Sequence, residues 1–418
     1  MKKPYMWDNY SDQPYPIKDK NYKKKMRQKS LISILKTITI ALLVLPFSLI
    51  MMPFIKNRKI DTNSFFCLGI DYQREPKKTI EFVKELEVEH ILIRLKLWEM
   101  SSLNELKKFL NNFKDKKIIL KIMQDRENVE DLNLFKKNLD IIFSTLNDQI
   151  NIYEIGTTIN RAKWGFFSVD EYNAFFKTAY DLKKEKYPSL TLIGSGVIDF
   201  EYHFTAHTLF NLCKYKYDGV SALLYVDRRG APENMQIGFS ASDKIALLAS
   251  MTWLSPKTKQ KLHLTEVNWP ISDTAPFAPT SEKECVDTQS YADFMLRYYL
   301  LALASQQVDT MSWHQLIAPG YGLVDNRKNN MKIYPAFETY KTMLKHLKDT
   351  QFLRLDINKK YYIFQALSRD RLLQVHWSLE TAELKREEYF EVYSRDGIKI
   401  EDKIIKIGSS PIYVYVNN

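Results

Sequence analysis

Eight short apolar runs, at residues 65–72, 90–98, 117–125, 151–158, 190–199, 218–227, 262–269 and 308–316, alternate with stretches whose apolar residues recur at helical spacing. Strands that are apolar on both faces and separated by helices belong in a parallel sheet, and eight such units are the count of a closed (β/α)8 barrel. An open doubly wound sheet would want a Gly-rich phosphate turn after the first strand, and "GIDYQREP" has none. The sequence therefore predicts an α/β TIM barrel over 61–348. From 349 to 418 the pattern changes to short alternating strands, which predict a small C-terminal β-sandwich.

The N-terminal region sets two further expectations. Thr37 to Ile55 holds no charged residue, and with Leu31–Leu35 the apolar stretch 31–55 is long enough for a transmembrane helix. It is longer than the core of a signal peptide, and no small-x-small cleavage site follows. Residues 1–30 carry nine Lys or Arg against three Asp, which is more than half of the net charge of +11. By the positive-inside rule this basic tail is cytoplasmic and the barrel lies on the periplasmic or extracellular side of a single-pass inner-membrane anchor. An excess confined to the tail also argues against nucleic-acid binding, which needs the charge on the folded domain.

Neither a metal nor a cofactor is expected. Cys67, Cys213 and Cys285 are too few and too scattered for a thiolate site, and His203 and His207 stand at i, i+4 spacing without a third ligand.

If the barrel forms, the C-terminal ends of its strands converge on one mouth, and these ends are polar and aromatic: Asp71, Trp98, Gln124, Thr158, Asn160, Arg161, Trp164, Tyr225, Arg228, Asn268, Trp269, Trp313 and His314. Carboxylates and amides bind sugar hydroxyls, and indoles stack on pyranose faces, so the set predicts a carbohydrate ligand. Glu266, closing the seventh run in "LTEVNWP", is a carboxylate in a place where burial needs a purpose or a partner.

Here the chain resembles the retaining (β/α)8 glycoside hydrolases that include cellulases, β-mannanases and β-xylosidases. The resemblance covers roughly residues 65–418. It implies that Glu266 is the nucleophile, that Trp313 in "MSWHQL" lies under the sugar, and that the small C-terminal β-domain is a usual companion. The fourth strand departs from the pattern. Where these enzymes read like "EIGNEPN", residues 154–161 read "EIGTTINR", so Thr158 replaces the acid/base glutamate. A hydroxyl protonates a leaving group poorly, which removes a step usually worth about 10²–10⁴-fold.

Catalysis needs a second carboxyl, about 5–5.5 Å from the first in retaining enzymes and about 6.5–9.5 Å in inverting ones. Asp199, Glu201 and Asp227, at the ends of the fifth and sixth strands, are the expected acids. Two functions therefore compete: a membrane-anchored glycosidase acting on an envelope glycan, and a pseudoenzyme that binds glycan or serves a protein partner in a membrane complex.

Overall fold

In a computed structural model of the chain, described here for residues 6–227, 230–327, 331–388 and 390–416, eight strands close into a barrel with every neighbouring pair parallel. They are β1 (Phe66–Ile70), β2 (His90–Lys96), β3 (Lys117–Met123), β4 (Ile152–Ile155), β5 (Thr191–Ile198), β6 (Gly219–Leu223), β7 (Leu262–Val267) and β8 (Thr310–Trp313). Each falls inside one of the eight apolar runs. The helices between them cover the outer faces, and Ser168 caps Val169–Lys186 by accepting from the Glu171 N–H at 3.2 Å.

Strand parity builds the inside. Leu92, Ile119 and Ile193 form an apolar floor with Cys67. Two residues further along, on the same face, stand Arg94, Lys121 and Glu154, and the register sets these three side by side on β2, β3 and β4. The barrel interior thus changes from apolar to charged within one layer.

The C-terminal part is an antiparallel sheet of six strands in the order β9 (Thr350–Asn358), β10 (Tyr361–Ser368), β11 (Arg371–Ser378), β16 (Ile412–Val416), β13 (Phe390–Ser394) and β14 (Lys399–Ile400). A second pair, β12 (Ala382–Lys385) and β15 (Ile404–Ile407), shares with it a small core of Val392, Ile405, Ile407, Ile412 and Val414. The unit is fastened to the barrel by buried polar groups. Arg395 binds Asp293 at 2.5 Å and the Gln289 side chain at 2.7 Å, while the Trp377 indole donates to Glu233 at 2.9 Å.

Ahead of the barrel come α1 (Lys20–Lys29) and α2 (Leu31–Met51). The apolar helical stretch, Leu31–Phe54, is 24 residues long, enough to cross a bilayer. One face of α2 carries the small or polar residues Ser33, Thr37, Ala41 and Ser48, and this face is buried against the barrel helices. Thr37 Oγ1 hydrogen-bonds His207 Nδ1 at 2.8 Å, Ser250 Oγ donates to the Ser48 carbonyl at 2.8 Å, and Lys36 pairs with Asp170 at 3.0 Å. His207 is thereby committed to α2. The opposite face exposes Leu31, Ile32, Leu35, Ile38, Leu42, Leu43, Phe47 and Ile50.

Residues 6–16 run over the barrel mouth, where Asp12 binds Arg94 and Gln13 donates to the Pro279 carbonyl at 3.2 Å.

Removing one partner of a buried ion pair strands the other charge and costs about 3–5 kcal/mol. Arg395→Ala should therefore lower the stability of the protein by about that amount in urea unfolding, whereas Arg354→Ala, on an exposed pair with Asp356, should shift it by less than about 1 kcal/mol.

Candidate functional site

Glu266, at the end of β7, sits at the base of a cavity of about 180 Å³ in the mouth of the barrel. Tyr225 donates its hydroxyl to Glu266 Oε1 at 2.8 Å, and the Lys121 ammonium lies 3.3 Å from Oε2. Burial alone would raise the Glu266 pKa. The charges of Lys121, of His314 when protonated and of Arg94, with the Tyr225 hydrogen bond, outweigh burial and hold it at about 2. The carboxylate is thus ionised at neutral pH and oriented by two fixed donors.

Lys121 is fully buried and also lies 3.4 Å from Glu154, itself fully buried, which accepts a hydrogen bond from Thr265 at 2.8 Å. Burial raises the Glu154 pKa. The two carboxyls therefore meet at one ammonium, Glu266 facing the cavity and Glu154 beneath it. Glu154 does not line the cavity.

Of the residues expected at the site, Thr158, Arg161, Trp164, Tyr225, Asn268 and His314 line the cavity with Glu266. Thr158 is buried in the left-handed backbone region, with φ +51°. Asn268 donates to the His314 carbonyl at 2.6 Å, and the His314 ring stacks on Tyr321 at 5.3 Å. Burial lowers the His314 pKa to about 3, so its imidazole is neutral.

The expected acids are placed differently. Arg161 binds Asp199 at 2.8 Å and Glu201 at 2.7 Å, and Asn160 donates to Glu201 at 2.8 Å. Despite the opposing effect of partial burial, these hydrogen bonds lower the Glu201 pKa. Asp227 is exposed, and none of the three lines the cavity.

Several polar and aromatic strand ends serve the scaffold. Gln124 spends its amide on the Thr157 and Trp164 carbonyls, at 2.8 and 2.7 Å, and Asp71 accepts from the Gln73 N–H at 2.8 Å. Trp269 donates to the Gly230 carbonyl at 3.0 Å. Trp313, expected under the sugar, is fully buried instead, stacked on Trp269 at 5.8 Å and donating to Tyr291 at 2.8 Å. His314, the next residue, faces the cavity in its stead. Arg228 lies outside the described residues.

Lys121 and Arg94 were hidden in runs that read as strand interior. Their signal was a charged residue at inward parity in an otherwise apolar strand. Part of the remaining wall comes from the N-terminal arm, beside barrel residues such as Lys163, Pro279 and Tyr321. Ser11, Asp12 and Gln13 line the cavity, and Trp7 packs between Trp98 and Trp164, with ring centroids at 5.2 and 5.8 Å. Trp98 thus meets an indole where a sugar was expected.

A closed parallel barrel with a β-sheet unit after it, and an ionised glutamate at the end of the seventh strand, can be compared with known structures. A family 39 glycoside hydrolase from Bacteroides cellulosilyticus superimposes with a TM-score of 0.65 at 12% identity, over 86% of this chain and 82% of the other. The fold is that of a glycoside hydrolase. A family 39 β-xylosidase from Caulobacter crescentus matches with a TM-score of 0.58 at 12% identity, over 87% and 98% of the two chains. A family 30 endoxylanase from Clostridium papyrosolvens gives 0.58 at 8% identity, over 87% and 97%. No protein-family profile matches the sequence, and no curated protein matches it. The likeness to glycoside hydrolases is thus one of architecture.

Among the described residues, no group of three or more His, Cys, Asp and Glu is placed to hold a metal ion.

The depressed Glu266 pKa has a stability consequence with a definite sign. Unfolded, the group titrates near 4.5; folded, near 2. Its contribution, on the order of 3 kcal/mol, is complete above about pH 5 and is lost as the pH falls toward 2. Lys121→Met should destabilise the protein by about 3–5 kcal/mol at pH 7. The gap from the wild type should narrow as the pH falls, since protonation removes the charges that Lys121 balances. Urea unfolding across a pH series measures both.

Proposed function

We propose that the protein is a membrane-attached, glycosidase-like receptor for a cell-envelope glycan, with Glu266 as its one group placed for nucleophilic attack. The observation that carries this reading is an ionised carboxylate, held by two donors, at the base of a polar cavity walled by indole, phenol and imidazole rings. Such a cavity suits one sugar ring held by hydrogen bonds and stacking.

Attack by Glu266 on an anomeric carbon expels an alkoxide that must be protonated as it leaves. By the resemblance, Thr158 stands where these enzymes carry the acid, and its hydroxyl is a poor proton donor. Asp199 and Glu201 face Arg161, and Glu154 lies under the ammonium of Lys121. The geometry therefore favours binding of natural glycans over their cleavage, with turnover confined to leaving groups that depart as stable anions.

Dinitrophenyl glycosides and natural oligosaccharides separate the alternatives. Slow release of dinitrophenol is expected, abolished by Glu266→Gln, while natural oligosaccharides bind uncut. Efficient cleavage of a natural glycan would show that an acid operates after all, and loss of that activity in Asp199→Asn, Glu201→Gln or Asp227→Asn would name it.

For the membrane, the contact of the arm with the barrel mouth supports α2 lying along the bilayer surface, its apolar face inward and its small-residue face on the barrel. The length of the apolar stretch and the nine cations before it support the other arrangement, a single span with the tail cytoplasmic and the barrel outside. An epitope at residue 1 decides between them in intact spheroplasts. Surface attachment requires that tag and barrel are digested or protected together; a protected tag with a digested barrel establishes the span.

A further inference from the structure

Asp12 enters the mouth of the barrel from the N-terminal arm, far in sequence from everything it touches. Its carboxylate binds the Arg94 guanidinium, lies 3.9 Å from that of Arg74 and accepts from the Tyr321 hydroxyl at 3.3 Å. Arg94 and Asp12 are both more than nine-tenths buried at the side chain. The arm is held at two further points: Lys163 donates to the Gln13 side chain at 2.7 Å, and Gln13 donates to the Pro279 carbonyl at 3.2 Å. Trp7 meanwhile fills the gap between Trp98 and Trp164.

Two features of this contact bear on what the barrel mouth recognises. The Trp7 ring occupies the space between two indoles, tilted at 49° to Trp98 and edge-on to Trp164 at 85°, so that its removal leaves both rings open to a ligand. A carboxylate rests on two guanidiniums beside the Glu266 cavity, and guanidinium forks match carboxylates better than they match neutral hydroxyls. Without Asp12, Arg74 and Arg94 would keep only the more distant charges of Glu266 and Asp71 opposite them, leaving a cationic site that favours an anionic ligand.

We propose that Arg74, Arg94 and Tyr321 form a subsite for the carboxylate of an acidic sugar, a uronic acid residue of the glycan, and that residues 7–13 occupy the cleft as an internal stand-in for it. This inference rests on the glycan reading of the cleft and on the arm lying on the barrel's side of the membrane, and it names the class of sugar. Ligand and arm exclude one another: the uronate carboxylate takes the place of Asp12, and the sugar rings take that of Trp7.

The test measures binding by the full-length chain in detergent, using matched tetramers: mannuronate against mannose, and galacturonate against galactose. Freeing the cleft removes the population penalty of the closed arm, so Trp7→Ala/Asp12→Asn should lower the Kd for an acidic tetramer by about tenfold or more. The neutral partner should gain much less. Arg74→Gln in that background should erase the acidic preference, and circular dichroism should show the fold unchanged. Equal gains for acidic and neutral tetramers would overturn the uronate subsite and leave the arm a steric plug. An unchanged Kd for a tetramer that does bind would overturn occupancy of the cleft by the arm. No binding of any tetramer by wild type or variant would defeat the glycan reading itself.

Discussion

The Lys121 ammonium is the interaction on which the site depends. It is fully buried at the centre of the barrel, between one carboxyl that burial pushes toward protonation and another that is held ionised. An uncompensated ammonium there would be untenable, and so would two bare carboxylates. Because one cation serves both, the upper carboxylate can face an aqueous cavity while the lower remains in the packed layer. Arg94 stands beside it in register, and its own counter-charge arrives from the arm. The mouth is thus assembled around paired buried charges, with Glu266, Arg94 and Asp12 all lining the cavity.

The barrel was legible because its signal is repeated eight times, and each run of apolar residues names a strand without help from the others. Glu266 was legible because a glutamate closing such a run is unusual, and Thr158 because it breaks a short pattern at a known place. What was not legible required knowing which way a side chain points. Trp313 and Trp269 look like sugar platforms in sequence, yet both are buried in the core, and it is His314, the residue after Trp313, that lines the cavity. Asp199 and Glu201 stand at the right strand ends, but Arg161 lies close enough to bind both. Asp12 could not be found at all by reading strand ends, since its partners lie more than 60 residues away and the intervening helix reads as a membrane segment.

That helix satisfies two requirements at once. Small residues spaced along one face let its backbone approach the barrel helices closely, while Leu, Ile and Phe cover the other. A helix made only to cross lipid would have no need of Thr37 opposite His207 or Ser48 opposite Ser250. Its sequence carries the signature of a membrane element and of a packed one, and length alone does not separate them.

The tether between the arm and the barrel also governs how the cleft behaves toward anything in solution. A segment joined to the same chain competes at an effective concentration in the millimolar range, however dilute the protein. If the arm and a uronate compete as proposed, a soluble saccharide of equal intrinsic affinity would need comparable concentrations to hold the cleft open, whereas a polymer engaging several positions along the mouth would gain by multivalency and displace the arm at lower levels. Chain length, and not only sugar chemistry, would then decide which ligands are seen.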